Sequence, residues 1–528
     1  METTIKQKTT YAGKSDLITG PVLPLYEYTR ADYAAMVGLF VISLIGFPMA
    51  LWGGFRAGYS LFFVLMFVVL TAYLVSKKRY FGIGAFAFIS GALALVSSLA
   101  FSVSGNSAVN TCLFLVTALL GFKWFGALAG WNDIVGVIPM VLDSVFGNIG
   151  RNFGTVIRSL GIKKDGRKSP FITGLIGAAV ALPVLAVVTG LLISSDAAFS
   201  GLINFLVGDP LVLMMKTVAG LCFAPFAVVY AVGLRKSCQR FPAAVRKMEG
   251  IEAVAVNSFL AVLSACYLLY LFSQSAYFFS AFSGLLPEEF TFAEYARRGF
   301  FEMSVIAVIN FGLVSISVWV VKKKNEKTPV LTKVMDVFIS VFTLIIIGTA
   351  LSKMIMYMGE YGLTRLRLET SMFMIFLAVV FIVLIIRVLG VKIPVFKIAL
   401  CAACVILAVS GFAGINRVVG EYNTEAYFSG KLEKVDIETI YELGPEGIPS
   451  LVRLASAEDQ DVADEARTHL EWLADSLYDY DLIWDEETEN YLTFYTRPSD
   501  GLGGWNYLRN QAFDTLDAYL ESVGKLNK

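Results

Sequence analysis

The sequence predicts an all-α fold: a polytopic bundle of about eleven transmembrane helices, followed by a soluble, mostly helical domain of HEAT-like character. Three observations predict it. Of the 528 residues 56% are hydrophobic and only 16% are charged, with a mean hydropathy of +0.67, against an apolar share of roughly 45–50% in ordinary soluble domains. Apolar stretches of about 20 residues, each long enough to cross a hydrocarbon core at ~1.5 Å per residue, recur between residues 31 and 412. At Ala413 the composition then switches: the remainder carries 24 acidic and 9 basic residues, against 19 and 34 before it. A basic membrane part at +15 thus precedes an acidic part at −15, a division that points to separate compartments or mutual attraction. No basic stripe with interleaved aromatics suggests nucleic acid.

Residues 1–30 are polar, with Lys6, Lys8, Lys14 and Arg30, and lack the charged, apolar and small-residue order of a cleavable signal peptide. They read as a retained cytoplasmic tail. Spans are expected at about 32–54, 57–76, 80–102, 106–127, 170–193, 211–235, 251–275, 300–321, 334–358, 370–389 and 394–412. Loops after even-numbered spans, with their edges, hold 22 Lys and Arg; those after odd-numbered spans hold 5, namely Arg56, Arg297, Arg298, Arg365 and Arg367. Basic residues are retained in the cytoplasm. The bias therefore predicts a cytoplasmic amino terminus and an extracytoplasmic domain over residues 413–528.

Within the membrane domain, 31–412, the segment 131–160 places Ile134, Val137, Ile138, Val141, Leu142, Val145 and Phe146 at helical spacing, then Phe153, Val156, Ile157 and Leu160. It reads as amphipathic helices on the cytoplasmic face. A similar, shorter segment, Asp196 to Asp209, is expected on the outer face. Gly174, Gly177, Ala178 and Ala181 are small residues of the kind that let helices approach closely. From Ala413 onward, helices are predicted over Val435–Leu443, Ile448–Ala455, Asp461–Leu477 and Trp505–Leu520, with Val462, Ala466, Leu470, Leu473 and Leu477 on one face of the third. A single helical hairpin cannot bury its own face, so this unit must pack on its neighbours.

Candidate binding groups cluster in two charged aromatic collars, YARRGFFEM at 295–303 and YGLTRLRLE at 361–369. Arg298 and Glu302 are four residues apart, as are Arg365 and Glu369, so each pair shares a helix face; Arg297 and Arg367 add charge beside them. Snorkelling arginines and belt aromatics explain most of this as an interfacial anchor. The sharper reading is an outward basic vestibule for an anionic lipid headgroup, a cell-wall polymer or the acidic tail itself, because arginine forks suit carboxylate and phosphate. Asn310 falls about ten residues into its span, where an amide needs a partner on a neighbouring helix. Glu252, Asp336 and Lys123 fall near inner span ends, and Lys216 and Lys353 near outer ends within snorkelling reach, so no mid-membrane carboxylate favours proton-coupled transport.

Five of the six cysteines lie inside apolar stretches, and Cys401 and Cys404, although spaced as CxxC, have no second ligand pair. His469 is the only histidine. No metal site, cofactor motif or catalytic set is expected. The acid-rich run Tyr478 to Tyr491 lacks the glycine and ligand spacing of an EF-hand loop and reads as a solvated face.

The collars, with INRVVGEYN at 415–423 and LGPEGIPSL at 443–451, resemble in their order a bacterial family of multi-pass membrane proteins of unknown function. The resemblance spans roughly Gly250 to the end and implies membrane location and a helical extracytoplasmic tail; it brings no activity. The expected function is a non-enzymatic plasma-membrane protein that senses, binds or scaffolds an envelope component, with another envelope protein as a candidate partner of 413–528. A transporter, or a protein handling lipids or cell-wall precursors, is the alternative.

Overall fold

The computed structural model describes residues 26–76, 84–131, 133, 136–161, 188, 210–237, 251–283, 300–322, 328–485, 490–498 and 504–526. Ten helices among them are long and apolar enough to cross a membrane. In chain order these are α1 (Arg30–Gly53), α2 (Ala57–Val75), α3 (Ala85–Leu99, prolonged by a 3-10 turn) and α4 (Ser107–Leu128). Two shorter helices follow, α5 (Val137–Leu142) and α6 (Asn148–Gly161), joined through a π-helical turn. The remaining spans are α7 (Pro210–Lys236), α8 (Ala253–Ser283), α9 (Phe300–Val320), α10 (Val330–Tyr361), α11 (Arg365–Val388) and α12 (Val395–Ala413). The expected span at 170–193 and the outer segment Asp196 to Asp209 lie outside the described residues.

The described residues of the membrane part pack in two main groups. Helices α1 to α4, α7 and α12 share one apolar core, with Leu39, Leu120, Val229 and Leu400 buried in it. Helices α8 to α11 share another, around Leu260, Ala307, Ile339 and Phe381. Helix α12 joins the groups, packing on α3 and α4 as well as on α11. Small residues set the closest approaches: a Cβ on Gly220 of α7 would lie 2.5 Å from the Leu44 carbonyl oxygen of α1.

The ends of the bundle differ. At one end, the basic end, Arg235 and Lys236 of α7 hold buried Asp32 of α1 at 3.4 and 3.0 Å, and the Tyr73 hydroxyl of α2 donates to it at 2.7 Å. Lys123 of α4 and Lys397 of α12 converge there on Asp133, at 3.7 and 2.6 Å. At the other end the connections α1–α2, α3–α4 and α10–α11 meet the C-terminal part. Lys123 and Asp336 are both buried, at 5% and 0% exposure. Lys353, at 9%, is scarcely more open. These three do not snorkel to water, because neighbouring helices enclose them.

Gly414, with φ 70°, turns the chain from α12 into the C-terminal part. This holds α13 (Ile415–Phe428), α14 (Ile437–Tyr441), a 3-10 turn (Gly444–Gly447), α15 (Ile448–Leu454), α16 (Gln460–Leu477), strands β1 (Asp479–Asp485) and β2 (Asn490–Thr496), and α17 (Tyr507–Ser522). Ala466, Leu470 and Leu473 of α16 are buried together with Ile448, Leu451, Phe513 and Leu516, as the apolar spacing predicts. The acid-rich run is not merely a solvated face. It forms an antiparallel hairpin in which Asp479 pairs with Thr496 and Asp485 with Asn490, since aromatic and branched residues between the acids favour a strand.

Candidate functional site

Residues of three of the four sequence motifs meet at one place, the joint between the C-terminal part and the bundle. Gly362, at φ 74°, ends α10 and exposes the backbone of Leu363. Asn423 of α13 clamps that backbone: the Leu363 N–H donates to its Oδ1 at 2.7 Å, and its Nδ2 donates to the Leu363 carbonyl at 2.8 Å. Asn416 lies seven residues earlier and so on the same face of α13. It accepts from Asn106 Nδ2 at 3.2 Å.

Asn106 is the hub of the joint. As N-cap of α4 its side chain accepts from the Val109 N–H at 3.0 Å, while its Nδ2 also donates to Glu369 of α11 at 2.9 Å. Next to it, the Gly105 N–H and the Ser104 hydroxyl both donate to Glu446 Oε1, the hydroxyl at 3.3 Å. Glu446 is only 5% exposed, and its Oε2 has no hydrogen-bond partner among the described residues. Burial raises its carboxyl above the ordinary carboxylate range, against the pull of these donors and of Arg417. A small open pocket of about 70 Å³ lies beside it, with Arg417, Glu421, Leu508 and Gln511 among its walls. Arg417 pairs with Glu421 at 2.6 Å and donates to Gln511 at 2.9 Å.

Two backbone links complete the joint: Ala57 donates to the Trp505 carbonyl at 3.0 Å, and Leu508 to the Val103 carbonyl at 3.1 Å. Val109 of α4 and Leu363 belong to the same apolar cluster as the core of the C-terminal part. Among the described residues, no ion pair crosses the joint.

Only part of the expected vestibule lies among the described residues. Arg297 and Arg298 lie outside the described residues, and Glu302 is exposed in the first turn of α9. Arg365 is exposed at the start of α11. Arg367 folds back, donating to the Tyr361 and Gly362 carbonyls at 3.2 and 2.6 Å and stacking over the Tyr357 ring at 4.1 Å. A cation at a helix N-terminus opposes the helix dipole; these carbonyls offset it. Glu369 faces Asn106, and among the described residues no ion pair joins it to Arg365. Asn310 is fully buried, accepting from the Tyr267 hydroxyl at 2.6 Å and donating to Thr343 Oγ1 at 2.9 Å. Sequence reasoning missed Asn106, Asn416, Asn423 and Glu446 as a set. The available signal is the seven-residue spacing of Asn416 and Asn423 within INRVVGEYN.

Ten apolar helices among the described residues, each long enough to cross a membrane, define a multi-pass helical membrane protein. The chain belongs to a family defined by a domain of unknown function, DUF4153, whose model matches residues 61–454. No curated protein and no solved structure matches the chain. The matched region includes spans ahead of Gly250 and ends with α15, so it contains all the side chains of the joint named above except those contributed by residues 57 and 505–511.

Proposed function

We propose that this is a non-enzymatic protein of the bacterial plasma membrane, with its amino terminus cytoplasmic and residues 413–528 outside, that senses or binds an envelope component through that outer part. One observation carries the reading: the outer part is not tethered by a linker but locked to the α3–α4 and α10–α11 connections through Asn106, Asn416, Asn423 and Glu446, and to the α1–α2 connection by the backbone bond from Ala57 to Trp505. A ligand that shifts the C-terminal helices must therefore act on α4, α10 and α11, because packed elements move as units rather than deform. Candidate ligands are an anionic headgroup, a cell-wall polymer or another envelope protein.

The test uses single cysteines at 365 and 472 in a cysteine-free full-length protein. Both should label with a membrane-impermeant thiol reagent in intact cells, and a photocrosslinker at 472 should trap an envelope component. Labelling only after lysis would place the domain in the cytoplasm and overturn the reading. The second reading, a transporter or a protein handling lipid or cell-wall precursors, is favoured by the buried polar line in α8 to α10 described next. Flux into proteoliposomes that is lost in Arg365→Ala would establish it.

A further inference from the structure

Helices α8, α9 and α10 enclose a line of polar side chains that the joint does not use. On α10, Thr332, Asp336, Ser340 and Thr343 recur three or four residues apart and so share a face; all are fully buried. Neighbouring helices supply partners. The Thr332 hydroxyl donates to Asn257 of α8 at 2.6 Å, and the Ser317 hydroxyl of α9 donates to Asp336 Oδ2 at 3.0 Å. Ser340 closes on the Asp336 carbonyl at 2.7 Å, and Thr343 takes the Asn310 amide. The line starts at the basic end, where Glu252 and Lys322 pair beside the Ile251–Val321 bridge. It stops about 20 Å further in, at ~1.5 Å per residue, because Ile346, Ile347 and Ala350 fill the next turns of that face.

Asp336 stands apart from the rest of the line. Its Oδ1 is buried without a hydrogen-bond partner among the described residues. The charged groups at this end of the packed elements are Glu252 ahead of α8, Lys322 after α9, Arg387 in the last turn of α11 and Lys333 on α10 itself, with Tyr267 further along α8. Among the described residues none of them forms an ion pair with Asp336. An ionised carboxylate so placed lacks the pairing that buried charge requires. One bound proton removes that charge and leaves a single O–H to accommodate, a smaller cost.

We propose that Asp336 is a proton-binding site of the membrane part, reached from the basic end past Asn257 and Thr332, with Ser317 positioning its carboxyl. The site does not depend on the sensing and binding role proposed above, and the experiment below does not test that role. Infrared difference spectra of the full-length protein in liposomes, taken through a pH titration, read the site directly. A carboxylic C=O band that shifts in heavy water, titrates reversibly and is missing from Asp336→Asn is the expected result. In Ser317→Ala, which keeps the acid but removes its hydroxyl donor, the band should persist at a shifted frequency. Absence of any band that depends on Asp336, or a band abolished by sodium at constant pH, would overturn the proposal, the latter by showing a metal-cation site. An unshifted band in Ser317→Ala would remove Ser317 from it.

Discussion

Asn423 satisfies with one amide what a backbone turn would otherwise require, taking both the N–H and the carbonyl of Leu363. Removing it leaves two buried backbone groups bare, each costing about 1–3 kcal/mol. Asn423→Ala should therefore lower the thermal midpoint of the detergent-solubilised protein more than Asn416→Ala, which removes one side-chain acceptor. Equal effects would mean that the clamp at Leu363 is not where the joint is held. Glu446 makes a prediction with a sign. Its carboxyl is raised in the folded protein by burial, so folding favours the protonated form. The associated stabilisation is complete below the unfolded carboxylate value and is lost as pH rises through the folded one. Stability should fall with rising pH over that window, and Glu446→Gln, which keeps the Oε1 acceptor, should flatten the profile and match or exceed the parent at neutral pH. Midpoints measured across the acid range check this; an unchanged pH slope in the variant would exclude Glu446 as its source. At this scale the residue types were legible in the motifs, but their partners were not. Glu369 was placed by spacing beside Arg365, whereas its partner Asn106 stands 263 residues away, and no local periodicity encodes that.

Among the elements, α6 shows what periodicity can and cannot tell. Its amphipathic pattern was plain in the sequence, yet which face packs inward depends on the neighbour. The buried face is mostly polar, with Val156 the apolar residue among it: Asn148 donates to the Tyr230 carbonyl of α7 at 3.0 Å, Asn152 donates to Asn148 at 2.8 Å, and the Tyr26 N–H donates to Ser159 at 2.9 Å. Phe146 is 72% exposed, and Ile138, Leu142, Phe153 and Ile157 are exposed along the same side of α5 and α6. An outward apolar face beside ten apolar spans suits lipid at the bilayer interface. Phe153→Trp should be quenched by brominated lipid in liposomes; fluorescence insensitive to the quencher would mean that protein covers this face. The hairpin of β1 and β2 escaped prediction for a related reason. Its acids suggested a charge run, but Tyr480, Leu482 and Trp484 alternate with Asp479, Asp481, Ile483 and Asp485 only loosely, and strand formation there rests on pairing with residues 490–496.

For the whole molecule, composition located the division at Ala413 but not the force that spans it. Opposite charges of −15 and +15 invite an electrostatic dock between the tail and the arginine collars. Among the described residues, the contact is made by other groups. Much of the described positive charge sits at the far end, as with Arg235, Lys236 and Lys397. The joint itself is made by amides, a buried carboxylate on backbone N–H, two backbone links and the apolar cluster that Val109 and Leu363 share with Leu451 and Leu516. Exposed charge pairs weaken within a Debye length that shrinks from about 10 Å at 0.1 M to about 3 Å at 1 M salt, whereas buried hydrogen bonds and apolar packing do not. Cysteines replacing Ala57 and Trp505, whose backbones bond across the joint at 3.0 Å, should therefore crosslink with a short bifunctional thiol reagent to the same yield at low and high salt. The yield should fall when Asn423→Ala is added, because that change loosens the clamp without touching either cysteine. A yield that drops with salt alone would restore the electrostatic dock and shift attention back to Arg365 and its neighbours.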